Sequence, residues 1–336
     1  MFDNSTILIT GGTGSFGNAF VSMTLARYKP KKLIIYSRDE MKQWEMMKKF
    51  PNENCLRFFI GDVRDKERLY RAFNGVDYVV HAAAAKIVPS AEYNPFECIK
   101  TNVNGAMNVI DAAINTGVKQ VVALSTDKAC LPVNLYGATK LCSDKLFISG
   151  NFYSPGKTKF SVVRYGNVMG SRGSVIPLFM EQSNEGVFTI TDERMSRFMI
   201  TLEQGVELVW TALEDMQGGE IYVKKIPSIK ITDIARAIDE TAKINIIGIR
   251  PGEKLHECMI SQEDAPFTYE LPSYYKILPQ AIIEMIVNYG QKDKFRRDGV
   301  LVSQDFVYTS DCNKEWMDIE TLREWIVQNK NKLGTI

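Results

Sequence analysis

Hydrophobic positions in the first half of the chain follow two alternating patterns. Short runs of β-branched and other apolar residues, typical of buried strands, alternate with longer stretches whose apolar positions recur at helical spacing. The predicted strands are Thr6–Thr10, Lys32–Tyr36, Arg57–Ile60, Tyr78–His81, Gln120–Leu124 and Phe160–Arg164, and the predicted helices between them include Phe16–Arg27 and Val103–Thr116. This order predicts an α/β fold with a doubly wound parallel sheet, whose ligands bind at the carboxyl ends of the strands.

The pattern changes after about Asn167, where shorter and less regular segments rich in Arg, Gly and Pro follow. We expect residues 1–168 to form the Rossmann-type sheet domain. Residues 169–336 are expected to be a smaller C-terminal region that mainly binds substrate and is partly interleaved with the first. Gly290–Gly299 is predicted to be a polar, charged loop.

The composition argues against several classes of protein. The 336 residues are 45% hydrophobic and 24% charged, as in globular proteins. Lys and Arg total 41 against 40 for Asp and Glu, so the net charge of +1 gives no reason to expect nucleic acid or membrane as a partner. No apolar run approaches the roughly 18 residues of a membrane span, and we expect a cytoplasmic protein. The six cysteines form no C-x-x-C pair and there are only two histidines, so no metal site is predicted.

A glycine motif follows the first predicted strand directly. Gly11, Gly14 and Gly17 have the spacing G-x-x-G-x-x-G and lead into a predicted helix. Glycine at these positions permits a tight turn and lets backbone N–H groups approach a pyrophosphate, which the positive end of the helix dipole also attracts. The motif therefore predicts a dinucleotide site.

The end of the second predicted strand indicates which dinucleotide binds. NAD sites usually place an acidic residue there for the ribose 2′-hydroxyl, whereas an arginine accommodates the 2′-phosphate of NADP. Ser37 and Arg38 occupy this position, with Lys42 one helical turn further on, so the sequence favours NADP. The other residues predicted to contact the cofactor are Thr13, Ser15, Phe16, Asp62, Val63, Ala82, Ala83, Lys86, Asn102, Tyr136 and Lys140.

Two further segments carry candidate catalytic groups. Tyr136 and Lys140 are four residues apart, so a helix places both on one face, where an ammonium stabilises phenolate and lowers the tyrosine pKa. Thr126, at the end of the fifth predicted strand, can bind a hydroxyl that is being oxidised. Asp127 and Lys128 follow it and supply an acid–base pair that simple hydride transfer does not need.

These segments together resemble a known family. TGGTGSFG, YSRDE, GDVRD, YNPFECIKTN, STDKA, NLYGATK, RYGNVMGSRGSVIP and RPGEKLHE are similar to the inverting UDP-N-acetylglucosamine 4,6-dehydratases, extended short-chain dehydrogenases/reductases that begin pseudaminic acid synthesis. The resemblance runs from Thr6 to about Ser310, and STDK is its most specific element. Related retaining dehydratases carry a carboxylate where this chain has Lys128.

The resemblance implies a role for each group. Tyr136 would take the proton of the C4 hydroxyl, Lys128 would remove the C5 proton if partly neutral, and Asp127 would protonate the departing C6 hydroxyl. We expect burial and the charge of Lys140 to lower the pKa of Lys128, and Asp127 to oppose them. The residues implied in binding the UDP-sugar are Lys86, Tyr165, Asn167, Arg197, Arg250 and Glu253. The resemblance also implies a homo-oligomer.

The chain departs from its relatives at several positions near the expected pocket. Ala85, Ile87 and Ser90 replace Leu, His and Ile, while Leu131 and Met199 also differ from the family pattern. These departures leave the exact sugar open. A UDP-sugar epimerase acting at C4 or C5 is therefore an alternative, and a non-catalytic NADP-binding module is another. The retained Asp127 beside Lys128 favours elimination, because a leaving hydroxide needs an acid.

Overall fold

The computed structural model describes residues 1–171, 173–279, 299–330 and 333. Of the predicted charged loop Gly290–Gly299, all positions except Gly299 lie outside the described residues. The strands are β1 Thr6–Thr10, β2 Lys32–Ser37, β3 Leu56–Ile60, β4 Tyr78–His81, β5 Gln120–Leu124, β6 Lys159–Arg164, β7 Asn167–Val168, β8 Val187–Ile190, β9 Ser196–Ile200, β10 Ile221–Lys224, β11 Ser228–Lys230, β12 Lys243–Ile246, β13 Cys258–Ile260, β14 Thr268–Glu270, β15 Tyr274–Ile277, β16 Val300–Leu301 and β17 Tyr308–Thr309. The six predicted strands are confirmed, each within one residue of its predicted ends.

Helices connect the strands of the first half and cover the sheet. The α-helices are α1 Ser15–Arg27, α2 Glu40–Lys49, α3 Lys66–Phe73, α4 Val88–Tyr93, α5 Pro95–Ile99, α6 Gly105–Thr116, α7 Leu135–Tyr153, α8 Val175–Ser183, α9 Leu202–Asp215, α10 Ile231–Ile238 and α11 Ile319–Asn329. The predicted helix Val103–Thr116 begins as a π-helical turn, Lys100–Asn104, and continues as α6. No helix in these described segments is both long and apolar enough to cross a membrane.

Most of the described strands belong to one sheet, with the order β16-β14-β15-β10-β6-β5-β4-β1-β2-β3. The seven strands from β10 to β3 in this order pair in parallel, as the βαβ pattern predicts. Strands β14, β15 and β16 extend the sheet in antiparallel pairing. The fold class is therefore confirmed, with a seventh parallel strand, β10, and an antiparallel edge that the sequence did not predict.

Apolar side chains form two separate buried clusters. The larger one includes the inner strands, for example Ile7, Val79 and Val121. The smaller cluster packs α8, α10 and α11 together and includes Ile176, Ile234 and Leu322. The main sheet also contains strands from the second half of the chain, namely β10, β14, β15 and β16. The division into a sheet domain, residues 1–168, and a substrate-binding region, residues 169–336, therefore stays a prediction.

The parallel arrangement positions the site. Because β1, β2, β4, β5 and β6 run in one direction, their carboxyl ends lie at one edge of the sheet. The glycine motif follows β1, Arg38 follows β2, and Thr126 to Lys128 follow β5. The fold thus gathers segments that are far apart in the sequence.

Candidate active site

A cleft of about 750 Å³ runs along this edge of the sheet. It is lined by most of the residues that the sequence singled out: Gly11, Thr13, Gly14, Ser15, Phe16, Gly17, Ser37, Arg38, Lys42, Asp62, Val63, Ala82, Ala83, Lys86, Thr126, Lys128, Tyr136, Lys140, Tyr165 and Asn167. Asn102, Asp127, Arg197, Arg250 and Glu253 do not line it. The cleft is therefore lined both by the glycine motif and by most of the candidate catalytic groups.

The glycine motif is packed so closely against other backbone segments that Gly11 and Gly17 leave no space for side chains. Gly11 has a φ of +66°, and a β-carbon there would lie 2.9 Å from the backbone nitrogen of Ala83. A β-carbon on Gly17 would collide with the carbonyl of Gly12. Gly14 precedes α1 and offers no side chain to cap it, so the first N–H groups of the helix remain available to an anion. These features fit the pyrophosphate of a dinucleotide.

Polar and basic groups surround the end of β2. The hydroxyls of Ser37 and Thr13 are hydrogen-bonded at 2.7 Å, which ties the glycine motif to this strand. Arg38 has a 64% exposed side chain and lies 3.6 Å from the Asp62 carboxylate, while Lys42 is 3.2 Å from Asp39. The Arg38 guanidinium is thus available to a phosphate at the cleft wall.

Asn102 has a different position from the one expected of a cofactor contact. Its side chain is buried, accepts a hydrogen bond from the Ala85 N–H at 2.8 Å and donates to the Ala85 carbonyl at 2.9 Å. It also donates to the Thr139 hydroxyl at 3.0 Å. The prediction that Asn102 contacts the cofactor is therefore corrected: it fixes the segment after β4 that forms one wall of the cleft.

Replacing Asn102 by alanine should lower the free energy of unfolding by about 2–4 kcal/mol, because buried partners lose their hydrogen bonds. Urea denaturation measures the change. Asn115→Ala, at an exposed position of α6, is the matched control and should change stability by less than about 0.5 kcal/mol. A similar small effect for both variants would contradict the assigned contacts.

Helix α7 carries Tyr136 and Lys140. Its first turn is capped by Asn134, whose side-chain oxygen accepts from the N–H of Gly137 at 2.8 Å. A β-carbon on Gly137 would collide with the Lys128 carbonyl, so glycine lets the helix approach the segment after β5. Tyr136 and Lys128 both line the cleft, and Tyr136 is close enough to feel the charge of Lys128.

The charges around Tyr136 differ from the sequence expectation. Burial raises the pKa of Tyr136 to about 12, and the Lys128 charge and a hydrogen bond with Thr126 only partly offset it. Burial lowers the pKa of Lys140, and the nearby Asp144 carboxylate opposes that shift. Without a bound cofactor, the pKa of Tyr136 is therefore raised by burial, whereas the sequence led us to expect that Lys140 would lower it.

Lys128 lies between two carboxylates. Its Nζ is 3.0 Å from Oδ1 of Asp127 and 3.1 Å from Oε1 of Glu257, and it also contacts Oδ1 of Asn167 at 3.4 Å. Burial lowers the pKa of Lys128, but the charges of Asp127 and Glu257 outweigh burial and raise it above the ordinary range. The sequence identified burial, Lys140 and Asp127 as influences on this pKa but did not identify the second carboxylate, Glu257.

Asp127 lies behind Lys128 and does not reach the cleft. Its side chain is fully buried, and Oδ1 accepts hydrogen bonds from both Thr126 and Lys128 at 3.0 Å. Burial, together with the charge of Glu257, raises its pKa. Asp127 is therefore in direct contact with Lys128, and the expected direct contact with a C6 hydroxyl is not supported by its position.

The predicted substrate arginines lie outside the cleft. Arg197, on β9, is buried, and its guanidinium donates to the carbonyls of Ser196, Lys254 and Leu255. Arg250 and Glu253 lie 3.9 Å apart in the segment between β12 and β13, which reaches α7 through a hydrogen bond from Asn134 to the Gly252 carbonyl. The role predicted for Arg197 is corrected to that of a buried structural cation, while Arg250 and Glu253 remain candidates beside the cleft.

The departures from the family pattern occupy different environments. Ile87 lines the cleft and is 64% exposed, so it is placed to alter what binds there. Leu131 is exposed and has a left-handed φ of 48°. Met199 is buried in the smaller apolar cluster and does not face the cleft. Of these three, Ile87 is the one positioned to affect substrate choice.

Some residues of the site were not singled out from the sequence. Glu257 ion-pairs with Lys128, and Asp144 accepts from the Ser125 hydroxyl at 2.7 Å and lies 3.5 Å from Arg164. Glu257 is the final residue of the RPGEKLHE segment, so its charge was visible in the sequence but its partner was not. In the described segments, no group of His, Cys, Asp and Glu is arranged to hold a metal ion.

Comparisons with known proteins agree with this geometry. A family model described as polysaccharide biosynthesis protein matches residues 7–279. A Campylobacter jejuni protein named UDP-N-acetylglucosamine 4,6-dehydratase (inverting) is 55% identical over 97% of this chain and 98% of its own length. A Rickettsia conorii protein named UDP-glucose 4-epimerase is 47% identical over 82% of this chain and 84% of its own.

A solved structure, Pen from Bacillus thuringiensis, superposes with a TM-score of 0.88 at 37% identity and covers 98% of this chain and 99% of its own. The resemblance inferred from the sequence motifs is thereby confirmed. The chain belongs to the polysaccharide biosynthesis protein family, where its relatives include the inverting UDP-N-acetylglucosamine 4,6-dehydratases.

Proposed function

We propose that the protein is an NADP-dependent UDP-N-acetylglucosamine 4,6-dehydratase that inverts C5 and yields a UDP-2-acetamido-2,6-dideoxy-L-arabino-hex-4-ulose. The observation that carries this proposal is that Lys128 lines the same cleft as Tyr136 and Thr126, which interact with one another there. The 55% identity to a protein of that name supports the choice of substrate. The product would serve a bacterial glycan of the pseudaminic acid type.

The cofactor would be held by the glycine motif, by the end of β2 and by Ala82 and Ala83 after β4. A bound nicotinamide dinucleotide supplies an acceptor for the C4 hydride and a donor that returns it to C6, so no external oxidant is consumed. The residues of the chain then have to orient the sugar and move its protons.

Tyr136 begins the proton transfers by taking the proton of the C4 hydroxyl, which Thr126 helps to orient. The resulting C4 ketone makes the C5 hydrogen acidic. Lys128 must be neutral to remove that hydrogen, and the 3.0 Å contact with Asp127 gives its own proton somewhere to go. The raised pKa of Asp127, caused by burial and by the charge of Glu257, favours this transfer.

The proton for the departing C6 hydroxyl passes through Lys128, because Asp127 is fully buried and Lys128 lines the cleft. Having taken the C5 proton, the Lys128 ammonium protonates the hydroxyl, and water leaves. A proton from solvent then adds to C5 from the opposite face, which completes the inversion, and Tyr136 releases the C4 proton to solvent. The proposed sequence therefore conserves protons and ends with the amine and the Asp127 acid ready to exchange again.

The proposal is tested by incubating the purified protein with UDP-N-acetylglucosamine and measuring the product by mass spectrometry, with and without added NADP⁺. Loss of the mass of one water supports the dehydratase. An unchanged mass with a new sugar configuration would support the alternative, a UDP-sugar epimerase, which is favoured by the 47% identity to a protein named UDP-glucose 4-epimerase.

Arg38→Ala should weaken binding of NADP about tenfold to a hundredfold and leave NAD binding nearly unchanged, since a charge-assisted contact to the 2′-phosphate is lost. Isothermal titration with each dinucleotide measures both affinities. Arg71→Ala, at an exposed position of α3 away from the cleft, is the control. Equal weakening of NADP and NAD would contradict a role for Arg38 at the 2′-phosphate.

We further propose that the enzyme acts in the cytoplasm, where UDP-sugars and NADP are made, and that it forms a homo-oligomer. The second proposal is supported by large apolar side chains on the surface near the cleft, including Tyr93 at 88% and Phe96 at 76% exposure. Such residues often mark contacts between protein molecules.

A further inference from the structure

Glu257 has an unusual position for a charged side chain. It is 2% exposed and does not line the cleft, yet its Oε1 lies 3.1 Å from the Nζ of Lys128, which does. A buried carboxylate is costly unless it is paired, so its position implies a specific task. Any effect of Glu257 on a bound sugar has to act through Lys128.

The backbone holds Glu257 rigidly. Its N–H donates to the Ser310 hydroxyl at 2.9 Å, and its carbonyl accepts from the Ser310 N–H at 2.8 Å. The residue immediately precedes β13, which pairs with β17. The carboxylate is therefore fixed by a sheet far from Lys128 in the sequence.

The charges that face Lys128 come from several elements. Asp127 and Glu257 are its anionic partners, and Arg197 on β9 lies 3.8 Å from Glu257. Lys254 lies 3.9 Å from the second oxygen of Glu257, which has no hydrogen-bond partner among the described residues. With Tyr136 uncharged, three cations surround two carboxylates. When Lys128 passes its proton to Asp127, Glu257 is the remaining carboxylate of the pair, and Arg197 and Lys254 stay beside it.

We propose that Glu257 is a positioning residue, which fixes the Lys128 ammonium at the cleft wall and keeps it protonated between turnovers. Asp127 belongs to the same short 3₁₀ turn as Lys128, whereas Glu257 immediately precedes β13, which is far from Lys128 in the sequence. Any effect of Glu257 on the elimination of water rests on the proposed function. The charge of Lys128 can be measured without any sugar.

The experiment labels the whole protein with cyanate, which reacts with neutral amines, over a range of pH, and quantifies modified Lys128 by peptide mass spectrometry. Lys128 of the wild-type protein should titrate above the ordinary range of a lysine side chain, about 10.4. Titration at or below that ordinary range would overturn the proposal, and this measurement needs no variant.

Two substitutions separate charge from position. Glu257→Gln keeps the shape and removes the charge, so labelling of Lys128 at a fixed pH should rise at least about tenfold. Glu257→Asp keeps the charge, so labelling should stay near the wild-type level. Glu263→Gln, an exposed glutamate shortly after β13, is the control and should change nothing. Equal labelling in Glu257→Gln and wild type, or an equal rise in Glu257→Asp, would overturn the proposal.

Turnover adds a second readout. Glu257→Asp shortens the side chain by one methylene and should lower kcat about a hundredfold with little change in KM, because Lys128 is displaced. An unchanged kcat in Glu257→Asp would contradict the positioning role. If the wild-type protein does not dehydrate UDP-N-acetylglucosamine, the proposed function fails, whereas the labelling still decides whether Glu257 sets the charge of Lys128.

Discussion

Lys128→Arg is expected to reduce dehydration at least about 10³-fold while leaving the fold and dinucleotide binding intact. Arginine preserves a cation between Asp127 and Glu257, but its guanidinium cannot lose a proton and so cannot remove the C5 hydrogen. Product formation by mass spectrometry and dinucleotide binding by titration measure the two properties separately. Dehydration at the wild-type rate would refute Lys128 as the base.

Lys128→Met separates the electrostatic role from the chemical one. It should also abolish dehydration, but in addition it leaves two buried carboxylates without their shared cation, at a cost of about 3–5 kcal/mol in the free energy of unfolding. In the wild type, the pKa of Glu257 is lowered because the charges of Lys128, Arg197 and Lys254 outweigh burial. That pairing contributes stability above the ordinary pKa of a glutamate and loses it as the pH falls through the folded value.

The loss caused by Lys128→Met should therefore be larger at neutral pH than in mild acid, where an uncompensated carboxyl takes up a proton. Urea denaturation at both pH values measures this difference, with Lys128→Arg as the charge-preserving control. An equal loss at the two pH values would show that the carboxylates do not depend on Lys128.

Tyr136→Phe is expected to lower the overall rate by about 10²–10⁴-fold, because the group that takes the C4 proton is removed. The change should block C4 oxidation as well as elimination, whereas Lys128→Arg should block elimination alone. A single-turnover experiment that follows reduction of the dinucleotide and loss of water distinguishes the two. Phenylalanine preserves most of the buried ring, so stability should change little.

The matched control is Tyr153→Phe, at the exposed end of the same helix, which should leave both steps unchanged. Because burial raises the pKa of Tyr136 to about 12, its phenol is protonated at neutral pH in the protein alone, and C4 oxidation should accelerate as the pH rises. Oxidation at a normal rate in Tyr136→Phe would remove this residue from the proposed mechanism.

Local patterns in the sequence were sufficient to predict six of the seven parallel strands, all except β10. Each parallel strand of the first half is a short apolar run followed by a helical stretch, and the glycine motif lies where β1 meets α1. The antiparallel edge was not predicted, because β14, β15 and β16 are two to four residues long and their pairing depends on distant segments.

The site was predicted where residues act through local geometry. Tyr136 and Lys140 share a helix, and both line the cleft. Asp127 and Lys128 are adjacent, and the short 3₁₀ turn that directs one inward and the other into the cleft has no sequence signature. Glu257 comes from a distant strand, so the raised pKa of Lys128 could not be inferred from its neighbours in the chain.

The central claim is most directly tested by incubating the protein with UDP-N-acetylglucosamine in D₂O and determining the product by NMR. We predict loss of water, deuterium at C5 and the L-configured 4-keto-6-deoxy sugar, because the C5 proton is removed by Lys128 and replaced from solvent on the opposite face. A dehydrated product that retains the D-configuration would contradict inversion. A product that keeps its oxygen at C6 would contradict the dehydratase altogether.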